Sequence, residues 1–181
     1  MMLSNETKKS LLLLTLDHFK KIKGRTRIQK MLYLTDQIGW NAINDYHFYQ
    51  YGPYSDWVKR ELDILAQSGL IEEDKEEDPY DEKTIYEYKI TPDGSKYLQT
   101  IIPQSSDLVT KTKKFLDKVK SCSTDDLVIM ASLYFLRKSD PSIDTNERLV
   151  KFVKLYKPSF DLTKIENNLT VFDLIETFKK N

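Results

Sequence analysis

Cysteine is almost absent from this chain of 181 residues. Cys122 stands alone, so no internal disulfide can form, and a reducing compartment, the cytoplasm, is expected. Histidine is nearly as scarce. With only His18 and His47 beside that single thiol, no zinc site of ordinary ligand spacing can be assembled, and neither metal nor cofactor is expected. The five glycines form no phosphate-cradling loop, and the G-x-S-x-G and H-E-x-x-H patterns are missing, so no enzyme is expected. Long hydrophobic runs are lacking too: Leu11–Leu14 is interrupted by Thr15 and closed by Asp17, too short for a signal segment or a membrane span. Net charge is +0, which excludes the overall basic field of a strong nucleic-acid binder.

Aromatic residues, by contrast, are plentiful. Eleven Tyr and eight Phe, with 40% hydrophobic and 31% charged residues, describe a folded globular chain. The neutral total hides an uneven distribution. Residues 1–60 carry ten Lys/Arg against five Asp/Glu, whereas residues 61–100 carry four against twelve. The first segment is therefore locally basic and the second locally acidic.

Periodicity predicts a first helix over about Glu6–Ile22, with Leu12, Leu16 and Phe19 on one stripe. Thr26 and Gln29 read as a capping box opening a second helix, which Gly39 ends. The alternation in Tyr46–Tyr51 suggests a short strand before the Gly52-Pro53 turn. Ser55 then caps a third helix with a Val58, Leu62, Leu65 stripe, closed by Gly69. Leu70–Glu72 and Thr84–Ile90 read as a hairpin, with a loose tip expected between about Asp74 and Glu82, and Thr91-Pro92 opens a further helix. Beyond Ile102 come about four helices: one carrying Leu108, Thr112, Phe115 and Val119, one capped at Thr124, one stopped by Pro158, and a last one. The helix from Thr124 is apolar nearly all round from Leu127 to Leu136, which marks a buried centre or a subunit contact.

That order predicts a mainly α (α+β) fold: an N-terminal winged helix-turn-helix with a β-hairpin wing over residues 1–102, then a helical subdomain over 103–181. Two functions follow. In the first, the chain is a cytoplasmic DNA-binding protein, a transcription regulator, dimeric through its C-terminal helices. Arg25, Arg27 and Lys30 crowd the start of the second helix, where cations are unfavourable unless an anion such as a phosphate completes the site. Tyr54, Ser55, Lys59 and Arg60 on the third helix would reach base edges or phosphates of double-stranded DNA, unless Asp56–Arg60 and Lys59–Asp63 are ordinary ion pairs. The second function is a protein-interaction module on the same scaffold. From Glu72 to Lys83 the hairpin holds eight acidic residues and two lysines, unsuited to gripping phosphate, and Glu76, Glu77 and Asp78 would dock a basic protein partner instead. No membrane partner is expected.

The stretch GRTRIQKMLYL followed by YHFYQYGPYSDWVKRELDILAQSGLIEE resembles the YwgA-like proteins, small prokaryotic proteins with a Gly-Arg-Thr start and a Tyr-Gly-Pro-Tyr-Ser turn. The likeness covers about residues 20–100. The hairpin part is also similar to the MarR and PadR regulators, whose wings end in a comparable Thr-x-x-Gly exit. More distantly, the basic helix and Tyr-Gly-Pro turn are similar to the Panacea antitoxin domain, which implies protein contacts. The YwgA-like resemblance implies a fold and no activity.

Overall fold

The computed structural model describes residues 5–77, 84–102 and 106–180. It is mainly helical with two small antiparallel sheets, an α+β arrangement. Helix α1 (Asn5–Phe19) is buried along all of Ser10–Leu16, so its leucines face protein on every side rather than forming one stripe. The helix stops earlier than its periodicity predicts. Lys20 turns into the left-handed region at φ 62°, and Ile22 enters strand β1 (Lys21–Lys23), buried between two exposed lysines.

Gly24 starts α2 (Arg25–Thr35) at φ 99° with no side-chain cap, so the expected Thr26/Gln29 capping box does not form. Every residue from Ile28 to Thr35 is buried. The helix widens into a π-type turn over Asp36–Trp40, where Gly39 at φ 138° breaks it. Strands β2 (His47–Tyr49) and β3 (Gly52–Tyr54) pair across a tight turn at Gln50-Tyr51, so Gly52-Pro53, expected to form the turn, instead open the second strand opposite Tyr49 and Phe48. Ser55 caps α3 (Asp56–Gln67) by accepting the Val58 N–H, and Gly69 at φ 72° follows its end.

Strands β4 (Ile71–Glu77) and β5 (Thr84–Ile90) form the long hairpin, and β1 joins it to give the order β1-β5-β4. Asp74–Glu77 thus belong to a strand, not to a loose tip; residues 78–83 of the expected tip lie outside the described residues. Thr91 caps α4 (Pro92–Ile101) as its Thr-Pro pair predicts. Helices α5 (Ser106–Val119) and α6 (Thr124–Ser139) follow, the latter opened by a Ser123/Asp126 capping box, one residue before the predicted cap. The chain ends in α7 (Asn146–Tyr156), α8 (Leu162–Asn167), a 3-10 turn and α9 (Val171–Lys180), so the single last helix of the sequence reading is broken in two.

The centre of the molecule is α2 against α6, each buried on nearly all sides. One hydrophobic cluster runs from Leu11 of α1 through Met31 of α2 and Leu133 of α6 to Ile175 of α9. That packing fixes α3, the β2–β3 hairpin and the β1-β5-β4 sheet around one end of α2.

Candidate functional site

The three cations at the start of α2 diverge. Arg25 turns toward the inner face of the sheet. Its Nε donates to the Tyr88 hydroxyl at 2.6 Å, and its Nη2 donates to Glu73 at 3.0 Å and to Asp63 of α3 at 3.3 Å. The guanidinium also sits over the Tyr86 ring at 3.6 Å. Burial works against its charge, but the hydrogen bonds to Tyr88 and Glu73 outweigh it and raise its already high pKa. Burial likewise pushes Glu73 upward, yet Arg25, Tyr88 and Lys75 hold its carboxyl below the ordinary value.

Arg27 points the other way. Its guanidinium donates to the carbonyls of Cys122 at 2.8 Å and Lys120 at 3.2 Å, just past the end of α5, where a cation meets unpaired carbonyls. Lys30 is not on the surface at all. It is 1% exposed, and its Nζ donates to the Pro53 carbonyl at 2.7 Å. Burial, then the nearby Lys157, push its amine down to about 7. The structure therefore does not bring Arg25, Arg27 and Lys30 together as one exposed patch.

Around α3 the outcome is divided. Ser55 is fully buried: its hydroxyl donates to Asp45 at 2.5 Å while capping α3, so it faces the fold rather than a groove. Tyr54 is half-buried and packs by its ring edge on His47 and at a tilt on Tyr49. Lys59 and Arg60 are exposed and form no ion pair among the described residues; the expected Asp56–Arg60 and Lys59–Asp63 pairs are absent there, and Asp63 meets Arg25 instead.

The acidic and basic segments of the sequence meet in the sheet. Register places Lys21 and Glu72 on either side of Lys89, and Lys23 and Asp74 on either side of Glu87. Ion pairs follow between Lys21 and Glu87 at 2.9 Å, Lys23 and Glu76 at 2.9 Å, and Lys89 and Asp74 at 2.8 Å. Glu77 is exposed at the end of β4, and Asp78 lies outside the described residues. Much of the acidity of the β4–β5 hairpin is thus balanced by its neighbours.

Several residues escaped the sequence reading. Gln29, in α2, pairs with both backbone groups of Ser55: its amide donates to the carbonyl at 2.9 Å and accepts the N–H at 3.0 Å. Lys157, after α7, is buried and donates to the Gln50 carbonyl. Tyr49 and Tyr51 stand exposed on the β2–β3 hairpin, and Phe48 of the same hairpin touches the exposed Tyr156 of α7 by its ring edge. Aromatic alternation in Tyr46–Tyr51 was a signal for the hairpin, but nothing local announces its contact with α7. Among the described residues there is no His/Cys/Asp/Glu grouping able to hold a metal, and no helix long and apolar enough to cross a membrane.

No family model matches the chain. It is similar to the uncharacterised protein YwgA of Bacillus subtilis (strain 168), with 31% identity over 117 residues, 64% of this chain and 66% of that protein. The chain spans just under two thirds of that relative's length, and the relative lends no activity. The YwgA-like resemblance of the Gly-Arg-Thr start and Tyr-Gly-Pro-Tyr-Ser turn is supported by this match.

Proposed function

We propose that this YwgA-similar chain is a protein-interaction module built on a winged helix-turn-helix. The order α1-β1-α2-α3-β4-β5, with β1 beside β5, is the arrangement that supports the winged-helix reading. One observation carries the choice of function: the cations at the start of α2 are engaged within the fold, by Glu73 and Tyr88, by carbonyls after α5, and by Pro53. A phosphate contact by Arg25 or Arg27 would have to break hydrogen bonds already made, and the exposed strand β4 beside them offers Glu72, Asp74, Glu76 and Glu77. Exposed Tyr49, Tyr51 and Tyr156 are the residue type that protein interfaces favour. The partner is basic where it meets Glu77, which forms no ion pair among the described residues, and Glu76, whose pair with Lys23 is solvent-exposed and can be exchanged for one with the partner.

The second reading, a transcription regulator on double-stranded DNA, is favoured by Lys59 and Arg60, exposed and without an ion pair among the described residues, on the helix that would enter a groove. A salt-titrated binding assay on mixed duplex DNA separates the two. The interaction module predicts no saturable binding even at low salt. Binding with a log–log slope of about −0.9 per neutralised phosphate, flattened in the Lys59→Gln/Arg60→Gln variant, would establish the regulator instead.

A further inference from the structure

Between α2 and the β2–β3 hairpin lies a small cleft of about 110 Å³, lined by Gln29, Lys30, Tyr49, Gln50, Tyr51 and Gly52. That is room for more than one water. Lys30 reaches it from α2. Lys157 flanks it from beyond α7, its amine donating to Gln50 and lying 5.2 Å from the centre of the Tyr51 ring. Lysines elsewhere in the fold commonly meet a carboxylate: Lys9 meets Glu61, Lys23 meets Glu76, and Lys164 meets Asp125. These two buried amines have only backbone carbonyls as hydrogen-bond partners, and neither forms an ion pair among the described residues. A buried ammonium without a counter-charge is costly, and an anion placed beside it recovers much of that cost.

Beside the cleft a second polar group is unsatisfied. Ser132 of α6 is fully buried, and its hydroxyl has no hydrogen-bond partner among the described residues. It lies where a Cβ on Gly52 would come within 2.5 Å of it, so glycine at φ 87° is what lets the hairpin close over this spot. Tyr49, Tyr51 and Tyr54 supply the aromatic part of the cleft wall, beside Arg25, Thr26, Gln29 and Gln50. An unpaired cation pair, an orphan hydroxyl nearby and aromatic walls suit a ligand with an anionic head and a small apolar body.

We propose that this cleft binds a small organic carboxylate, with Lys30 and Lys157 holding the head group and Tyr49 and Tyr51 covering its apolar part. The proposal does not depend on which macromolecule the wing meets. The charged and titratable groups facing Lys30 are Lys157, Arg25 on its own helix, and the rim tyrosines 49, 51 and 54, with Asp56 and Asp63 acting on Tyr54 from α3. Lys30 loses its proton near pH 7, and a carboxylate binds the protonated amine, so affinity falls as pH rises through that value.

The test is a nuclear magnetic resonance titration of the full chain with sodium benzoate, and with benzamide as the uncharged control. Saturable shifts at the Gln50, Tyr51 and Gly52 amides are expected with benzoate and none with benzamide. The benzoate Kd should rise about tenfold between pH 6 and pH 8. Lys157→Met should weaken binding by about tenfold, and Lys30→Met by at least as much. Where either variant fails to fold, the pH series on the unaltered chain decides. A Gly-Glu-Gly peptide should not compete, because the cleft is small; competition at equal affinity would overturn the small-molecule assignment. Equal binding of benzamide, a pH-independent Kd, or no saturable shift would overturn the site.

Discussion

Lys30 and Asp36 are buried charges on neighbouring turns, and burial moves each toward its neutral form. Lys30 is pushed down to about 7, so its contribution to stability is present above its unfolded value of 10.5 and is lost as pH falls through 7. Burial pushes Asp36 up to about 6, even though its carboxylate accepts the N–H groups of Ala42 at 2.7 Å and Ile43 at 3.4 Å. Its folded pKa lies above the unfolded 3.8, so the native state binds the proton more tightly. The stability this provides is full below about pH 4 and is lost as pH rises through 6. Asp36→Asn keeps an oxygen to accept the two N–H groups and removes the charge. Relative to this variant, the unaltered chain should lose about 2–3 kcal/mol of unfolding free energy between pH 4 and pH 8. Urea denaturation at the two pH values measures it, and Lys30 cancels because both proteins carry it. A difference that stays constant with pH would mean that Asp36 titrates as it does in the unfolded chain.

At the level of elements, what could be read from sequence is what local chemistry specifies. Ser55 and Gly69 bracket α3, Thr91-Pro92 opens α4, and the alternation in Thr84–Ile90 is a strand. The apolar stretch Leu127–Leu136 is the buried helix it reads as, with only Phe135 half-buried. Leu133→Ala, at a position with no exposure, should therefore cost about 2–5 kcal/mol. Leu155→Ala on α7, 74% exposed, should change stability by less than about 0.5 kcal/mol in the same chemical denaturation. A small loss at Leu133 would mean that α6 is not the centre of the core. What could not be read depends on partners far along the chain. Lys30 and Gln29 read as a polar helix start, yet both are buried, because their partners Pro53 and Ser55 lie 23 and 26 residues away. Strand β1 is three residues long and exists only through its pairing with β5, whose Tyr88 faces Ile22. The surroundings of the candidate site are illegible for the same reason: Arg25 and Arg27 find their acceptors in the sheet and after α5, and no pattern near the helix start announces them.

For the molecule as a whole, the uneven charge of the sequence is resolved by folding, since the lysines of β1 lie across the sheet from the acidic residues of β4 and β5. The same closeness bears on where the chain divides. Composition suggests a boundary near Ile102, with residues 1–102 as one unit and 103–181 as another. Yet α2, from the first, packs against α5 and α6, from the second. Polar links cross as well: Trp40 Nε1 donates to Thr112 at 2.8 Å, Lys138 donates to Gln37 at 2.9 Å, and Arg27 caps the end of α5. A fragment of residues 1–102 would leave the face of α2 that meets α6 open to water, along with Trp40 and the unpaired guanidinium of Arg27. Small domains bury only a modest share of their surface, so losing this cover removes the main gain that offsets chain entropy. The fragment is expected to show no cooperative urea transition and to lose the near-ultraviolet circular dichroism of its aromatic residues, while the full chain unfolds in one step. A sharp transition in the fragment, with its aromatic signal retained, would instead show that the N-terminal half folds alone and that α5 and α6 dock onto a finished surface.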